Sequence, residues 1–237
     1  MTGSLRILNW NFERRLPASW QAAQLLARTQ ATEADIICLT EAHAGSLDDL
    51  GGHVLSAAGR VWSKTAETER KVLLWSPNDW SDVVYGATGT EALVSGMTIT
   101  PLGPMRITGV CIPYHMAAPM GVTPRPKPWS IHLAYLQGLQ DFLAGLDANI
   151  PSVIAGDFNQ RIPRSHTPHA VHDALLAAIN GYRVATEGVI AGIGEATIDH
   201  IAFGPALSCA QVFGISNIGA DGKRLSDHFG VAADLHL

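Results

Sequence analysis

The sequence predicts an α/β fold in a single domain spanning residues 1–237. Three observations predict it. Short apolar runs, each ending on a polar side chain, recur along the chain. Stretches of helical periodicity are interspersed among them. The 237 residues, 47% of them apolar, are enough to bury a sizeable core. No repeat, low-complexity tract or linker-like composition divides the chain.

Taken in order, Leu5 to Phe12 reads as a strand that ends in Asn11 and is followed by Glu13-Arg14-Arg15. Trp20 to Ala31 has Ala23, Leu26, Ala27 and Gln30 at helical spacing, with Ala18-Ser19 as its start. Asp35 introduces a second strand, Ile36 to Glu41, which closes on an acid. Residues 44–60 are glycine-rich and read as loop with a short helix. Lys71 to Trp75 and Asp82 to Tyr85 are strands divided by the turn cluster Ser76-Pro77-Asn78-Asp79. Met97 to Thr100 and Met105 to Ile112 form a further pair around Pro101-Leu102-Gly103-Pro104. The proline-rich segment Pro113 to Pro128 reads as a long loop, and long loops in compact domains commonly serve function.

Trp129 to Leu146 reads as an amphipathic helix. Val153-Ile154-Ala155-Gly156-Asp157-Phe158-Asn159 follows, a buried strand that breaks at a glycine and then presents an acid and an amide two positions apart. That spacing fits two readings, ligands aimed into one space or an Asx turn capping its own backbone. After the basic loop Gln160 to Arg164, Ala170 to Ile179 reads as helix. Thr197 to Phe203, Ala210 to Ile215 and Val231 to Leu235 read as strands, the last preceded by Ser226-Asp227-His228.

Composition narrows the function. A net charge of −5 gives no global positive field for polyanions, so contact with nucleic acid must come from a local patch. Cys38, Cys111 and Cys209 sit in apolar surroundings without CxxC spacing, which argues for buried thiols in a reducing compartment and against a structural zinc site. Neither a leader peptide nor a membrane-length apolar run is evident, so a cytoplasmic protein is expected.

The polar residues at the expected strand ends are Asn11, Glu41, Asp157, Asn159, Asp199, Asp227 and His228. Hard cations such as Mg²⁺ take oxygen ligands of this kind, often one or two carboxylates with water and substrate phosphate. His228, beside Asp227 and with Asp199 available, suits an imidazole whose tautomer a carboxylate holds.

In this order, Asn11 within Leu8-Asn9-Trp10-Asn11, Glu41 within Leu39-Thr40-Glu41, Gly156-Asp157-Phe158-Asn159, Asp199 within Ile198-Asp199-His200-Ile201, and Ser226-Asp227-His228 resemble the endonuclease/exonuclease/phosphatase superfamily, the metal-dependent phosphoesterases related to DNase I and apurinic endonucleases. The motifs run over nearly the whole chain. The resemblance implies a DNase I-like four-layer α/β sandwich, with two mixed β-sheets packed face to face and helices outside. Carried over residue by residue, Glu41 would be the principal ligand of Mg²⁺ (with Mn²⁺ as a substitute), and Asn11 and Asp227 would lie close to the same ion. Asp157 would orient or deprotonate the attacking water, Asn159 would hold the water or the phosphate, and His228 would contact the phosphate with Asp199 orienting it.

The family usually places a Tyr or His before the proline-rich loop. Here an alignment anchored on Pro113 offers Cys111, and a slip offers Tyr114 or His115. We take His115 as the expected residue, because an imidazole can serve and a buried thiol is a poor acid. Glu69 resembles the acid that partners such a residue in DNase-like members; its alternative is a solvated charge in Glu67-Thr68-Glu69-Arg70-Lys71.

Arg161 is the expected phosphate clamp, while Arg125, Lys127 and Arg164 default to solvated loop charges. Tyr114 and Trp129 are either base-stacking rings or loop anchors. His200 is expected to pack on the face opposite Asp199, and His166, His169 and His172 to sit in a polar loop.

The expectation is thus a Mg²⁺-dependent phosphodiester hydrolase, a nuclease acting on DNA or RNA, with no membrane and no obligatory protein partner. The alternatives are a phosphatase or phosphodiesterase acting on a small phosphorylated metabolite or lipid head group, and, in another class, a catalytically inactive interaction module. Retention of Glu41, Asp157, Asn159, Asp199 and His228 argues against the last.

Overall fold

In the computed structural model, which describes residues 3–57, 67–86, 88, 92–118 and 123–237, the apolar runs become strands and the helical periodicities become helices. In chain order these are β1 (Leu5–Asn11), α1 (Trp20–Gln30), β2 (Ile36–His43), β3 (His53–Ser56), β4 (Glu69–Ser76), β5 (Ser81–Tyr85), β6 (Leu93–Thr100), β7 (Gly103–Cys111), α2 (Ser130–Ala144), β8 (Ser152–Asp157), α3 (His169–Ala178), β9 (Arg183–Val184), β10 (Asp199–Phe203), β11 (Ser208–Ile215) and β12 (Gly230–His236).

Local chemistry sets the helix start expected from sequence. The Ser19 hydroxyl accepts from the Ala22 amide at 3.2 Å, satisfying a donor that has no partner inside α1. The glycine-rich stretch after β2 holds a 3₁₀ turn, Asp48–Leu50, and also the edge strand β3, which sequence patterning did not reveal. Only Leu55 of its four residues is buried, so it carries little apolar signal. The two-residue β9 is too short to pattern at all. Part of the expected loop regions, residues 58–60 and 119–122, lies outside the described residues.

The strands form two six-stranded mixed sheets, β11-β12-β1-β2-β4-β3 and β5-β6-β7-β8-β10-β9. Each has one parallel pair, β1 with β2 and β7 with β8, and each pair is joined by a crossover helix, α1 or α2. The two halves of the chain therefore repeat one another topologically. β1-α1-β2 then β3 and β4 build one sheet before β5 and β6 cross to the other; β7-α2-β8 then β9 and β10 build the second before β11 and β12 cross back.

The sheets pack face to face, β1 against β8 and β10, and β4 against β6 and β7. Ile7, Cys38, Val72 and Leu74 of the first sheet share one apolar core with Ile107 and Val153 of the second. On the outer face of the first sheet, Leu8, Trp10, Ile37, Leu39 and Leu73 bury Leu25 of α1. α2 and α3 pack on each other, and their Tyr135, Leu136, Leu139 and Leu175 cover the second sheet. The result is a four-layer α/β sandwich. No helix among the described residues is long and apolar enough to cross a membrane.

The topology gathers chemistry at one end. The C-terminal ends of β1, β2, β7 and β8 meet there, with the start of β10 beside them, as Asp157 pairs across to Asp199 and Cys111 lies alongside Asp157. Gly156 makes the last turn of β8 into that end. Its φ is +150°, and a Cβ there would collide with the Val110 carbonyl oxygen of β7. Gly156→Ala is expected to cost about 3 kcal/mol or more, a fall in Tm of roughly 6–12 °C. A thermal melt within about 2 °C of the parent would contradict this close approach.

Candidate active site

The converging strand ends leave a cleft of about 360 Å³. Its walls carry Asn11, Arg14, Glu41, Lys71, Asp157 and His228, with Cys111, Tyr114 and Asn159 completing the side toward β7. Each polar group is aimed by its backbone. Glu41 has φ +47° and Asn159 φ +53°, left-handed conformations that turn both side chains out of regular alternation.

Asp157 is buried, and both of its oxygens are engaged. Oδ1 accepts from the Asn159 amide at 2.8 Å, and Oδ2 accepts from the Asn11 carboxamide at 3.1 Å. The Asx turn and the site reading are thus both realised: the turn fixes one oxygen and leaves the other facing Asn11. Asn159 in turn donates to the Ile112 carbonyl at 2.8 Å, tying the end of β8 to the end of β7. Burial, reinforced by the charge of Asp199, pushes the Asp157 carboxyl up to about 7.

Beside it stands His228, whose Nδ1 lies 2.6 Å from Asp199 Oδ2. Burial works against a charged ring, but Asp199 outweighs it and holds the imidazole up to about 10, so His228 stays an imidazolium at neutral pH. The segment carrying it is pinned to β1: the Ser226 hydroxyl donates to the Asn11 carbonyl at 2.7 Å, and the Trp10 indole donates to the His228 carbonyl at 2.9 Å. Ligand atoms of Asp157, Asp199 and His228 all lie within 4.8 Å of one another.

The Glu41 carboxylate meets two cations, the Lys71 ammonium at 2.6 Å and the Arg14 guanidinium at 3.3 Å. Lys71 also lies 3.7 Å from Glu69 Oε1. Burial opposes the Lys71 charge, yet the flanking carboxylates of Glu41 and Glu69 outweigh it and raise its pKa. Burial in turn raises the Glu69 carboxyl, with Lys71 partly offsetting the rise.

The placement of the expected residues is uneven. Asn11, Glu41, Asp157, Asn159 and His228 share the cleft, with Asp199 directly behind His228. Asp227 does not line it. Its carboxylate lies on the outer side of His228, 3.7 Å from Nε2, and faces a smaller depression that also holds Arg161. Of the three candidates before the proline-rich loop, Cys111 and Tyr114 line the cleft, whereas His115 is exposed and rests against Trp129, with ring centroids 5.5 Å apart. Glu69 is neither solvated nor beside His115; it is buried and faces Lys71.

Lys71 and Arg14 are cleft residues that sequence reasoning passed over. The signal existed in Glu69 and Lys71, two charges at alternate positions of an apolar strand and therefore on one face. Outside the cleft, Arg125 donates to the Met116 carbonyl at 3.2 Å, and Arg164 donates to Thr167 at 2.9 Å. His169 and His172 are on α3 rather than in a loop, and His172 Nδ1 is 3.3 Å from Gln160 Oε1.

Two six-stranded sheets with an acid-, amide- and imidazole-lined cleft at one end define the DNase I-like class of α/β sandwich. The profile of the Endonuclease/Exonuclease/phosphatase family matches residues 8–228, and the chain belongs to that family, whose members are generally divalent-metal-dependent phosphoesterases. No curated protein sequence matches the chain.

Solved structures share the fold at low identity. D. rerio TDP2 complexed with single-strand DNA product is 11% identical over 99% of each chain, with a TM-score of 0.71. An AP endonuclease from Archaeoglobus fulgidus is 16% identical over 97% of this chain and 98% of its own, TM-score 0.68. The human Nocturnin catalytic domain with a bound sulfate anion is 17% identical over 98% and 93%, TM-score 0.68.

Behind the cleft, His200 is wholly buried; its ring meets the Gln160 carbonyl at 3.0 Å and the Thr186 hydroxyl at 3.0 Å. Burial lowers its pKa to about 4, so the folded protein holds it neutral while the unfolded chain protonates it below about 6.5. Its contribution is complete above that value and fades as pH falls toward 4. From pH 8 to pH 5 the loss from this group is about 2 kcal/mol. Denaturant melts at the two pH values should show a smaller pH dependence in His200→Gln by that amount; an unchanged slope would contradict the neutral buried ring.

Proposed function

We propose that the protein is a Mg²⁺-dependent phosphodiester hydrolase, a nuclease that cleaves DNA or RNA by in-line attack of a positioned water. One observation carries this reading: the Asp157–Asn11 pair lies beside the His228–Asp199 pair, with ligand atoms of Asp157, Asp199 and His228 within 4.8 Å of one another, in the cleft that also holds Glu41. A water at Asp157 and a phosphate at His228 would then share one enclosed space, which is the condition for attack at phosphorus.

The donor chemistry of the cleft fits a hard ion. Its oxygens include the carboxylate of Glu41 and the carboxamide of Asn11, whose Oδ1 accepts from the Glu13 amide at 2.8 Å, and the one thiol on its wall, Cys111, is pushed far above the ordinary range by burial and is no thiolate ligand. Glu41 and Asn11 would hold Mg²⁺, or Mn²⁺ in its place; Asp227, which lies beside His228 in the adjoining depression, is left out of this set. Bound there, the ion supplies Lewis-acid neutralisation of charge on the phosphate oxygens.

The chain's own groups do the remaining work. Asp157, with Oδ1 fixed by the Asn159 amide, orients the water and takes its proton. The Asn159 carboxamide is anchored on Ile112 and forms the wall against which the phosphate rests. The His228 imidazolium donates to a phosphate oxygen, and Asp199 fixes which nitrogen points outward. Arg161, exposed beside Asp227, would meet the flanking backbone phosphate of a polymeric substrate.

The test is hydrolysis of labelled single-stranded, duplex and abasic DNA, RNA and soluble phosphomonoesters, each with Mg²⁺ or EDTA. Metal-dependent chain cleavage is expected, and Asp157→Asn or His228→Ala should each lower kcat by about 10²–10⁴-fold. Release of inorganic phosphate without chain cleavage would favour a small-substrate phosphatase instead. Turnover in EDTA, or full activity of either variant, would overturn the mechanism.

A further inference from the structure

Lys71 is a cation built into the place where a divalent ion is expected. Its side chain is only 12% exposed, and its ammonium sits 2.6 Å from Glu41 Oε1. Arg14 meets the same carboxylate but is 51% exposed, so its attraction is screened by solvent and counts for little. Within the enclosed part of the cleft, Lys71 is therefore the group that balances Glu41.

A second carboxylate stands ready for the same ammonium. Glu69 Oε1 is buried, has no hydrogen-bond partner, and lies 3.7 Å from Lys71 Nζ. A buried charged oxygen left in this way is costly, and a shift of the ammonium by about an ångström would satisfy it. Lys71 thus has two alternative seats, one on Glu41 in the cleft and one on the buried Glu69 beside it. The neighbouring wall residue is the neutral thiol of Cys111, which offers the ammonium no competing anion.

We propose that Lys71 is a resident counter-ion that competes with the divalent ion for Glu41 and moves onto Glu69 when the ion binds. This rests on the metal-dependent reading above, and it says how that site keeps its affinity low. An ion arriving at Glu41 must displace an ammonium already there, and Glu69 lowers the cost of displacement by receiving it. Lys71 acts here through Glu41 as a positioning residue.

Equilibrium Mn²⁺ binding, followed by the electron paramagnetic resonance of the free ion and by calorimetry, tests this without any substrate. Lys71→Met should tighten the Kd by about tenfold or more, and Glu69→Gln should weaken it several-fold. The cycle is the decisive part. In a Lys71→Met background, Glu69→Gln should change the Kd by less than about twofold, because the residue it serves is gone.

Lys71→Arg, which keeps the charge, guards against a misfolded Lys71→Met and should stay near the parent value. Unchanged or weaker binding in a folded Lys71→Met protein, or equal effects of Glu69→Gln in both backgrounds, would overturn the proposal. A substrate panel that fails while this cycle holds would refute the nuclease reading alone.

Discussion

The site depends on how the two sheets are fixed to each other, and one side chain fixes them at the critical point. Asn9 on β1 is wholly buried in the seam, and its carboxamide nitrogen donates to the Gly156 carbonyl at 2.9 Å and the His200 carbonyl at 3.3 Å. Those two carbonyls belong to β8 and β10, one residue before Asp157 and one after Asp199. Apolar contacts across a sheet interface are non-directional and would tolerate a slide. A buried amide bridging to two strands would not, because sliding leaves carbonyls unpaired in a dry interior.

From that seam the rest follows in short steps. Two positions beyond Asn9 comes Asn11, which meets Asp157, and the carbonyl of Asn11 holds the hydroxyl of Ser226, which in turn accepts the His228 amide at 3.1 Å. One strand of the first sheet therefore positions both the acid of the second sheet and the imidazole that follows β11. The neighbouring strand β2, parallel to β1, brings Glu41 to the same level. Five residues from four distant parts of the sequence converge because their strands end together.

Such convergence crowds negative charge. Glu41 and Asp157 line the cleft, Glu69 and Asp199 stand next to its Lys71 and His228, and the chain balances these acids with the Lys71 ammonium and the His228 imidazolium. Buried ion pairs contribute little net stability, since desolvation consumes most of the attraction. Under the function proposed above, they would be poised for a ligand that brings both a cation and an anion.

Much of this was legible in the residues. Apolar runs closing on Asn11, Glu41 and Asp157 announced both the strands and the polar side chains that line the cleft, because β-strand burial and a polar terminus leave clear local patterns. What stayed hidden depended on tertiary geometry. Cys111 rather than His115 reaches the cleft because β7 runs straight to residue 111 and the chain then turns outward into the loop. Asp227 does not line the cleft; its carboxylate lies beside His228, 3.7 Å from Nε2, in the adjoining depression, a placement that adjacency in sequence does not reveal. The pairing of Lys71 with Glu41 joins two adjacent antiparallel strands, and a single sequence does not display that register.

The central claim is that oxygen donors from separate strand ends converge on one hard ion beside Asp157 and His228. Anomalous diffraction from crystals soaked in Mn²⁺ tests it most directly. The account predicts one strong peak within about 2.5 Å of a Glu41 carboxylate oxygen, facing the cleft. A peak enclosed instead by Asp157, Asp199 and His228 with Glu41 still seated on Lys71, or none at a saturating concentration, would contradict it.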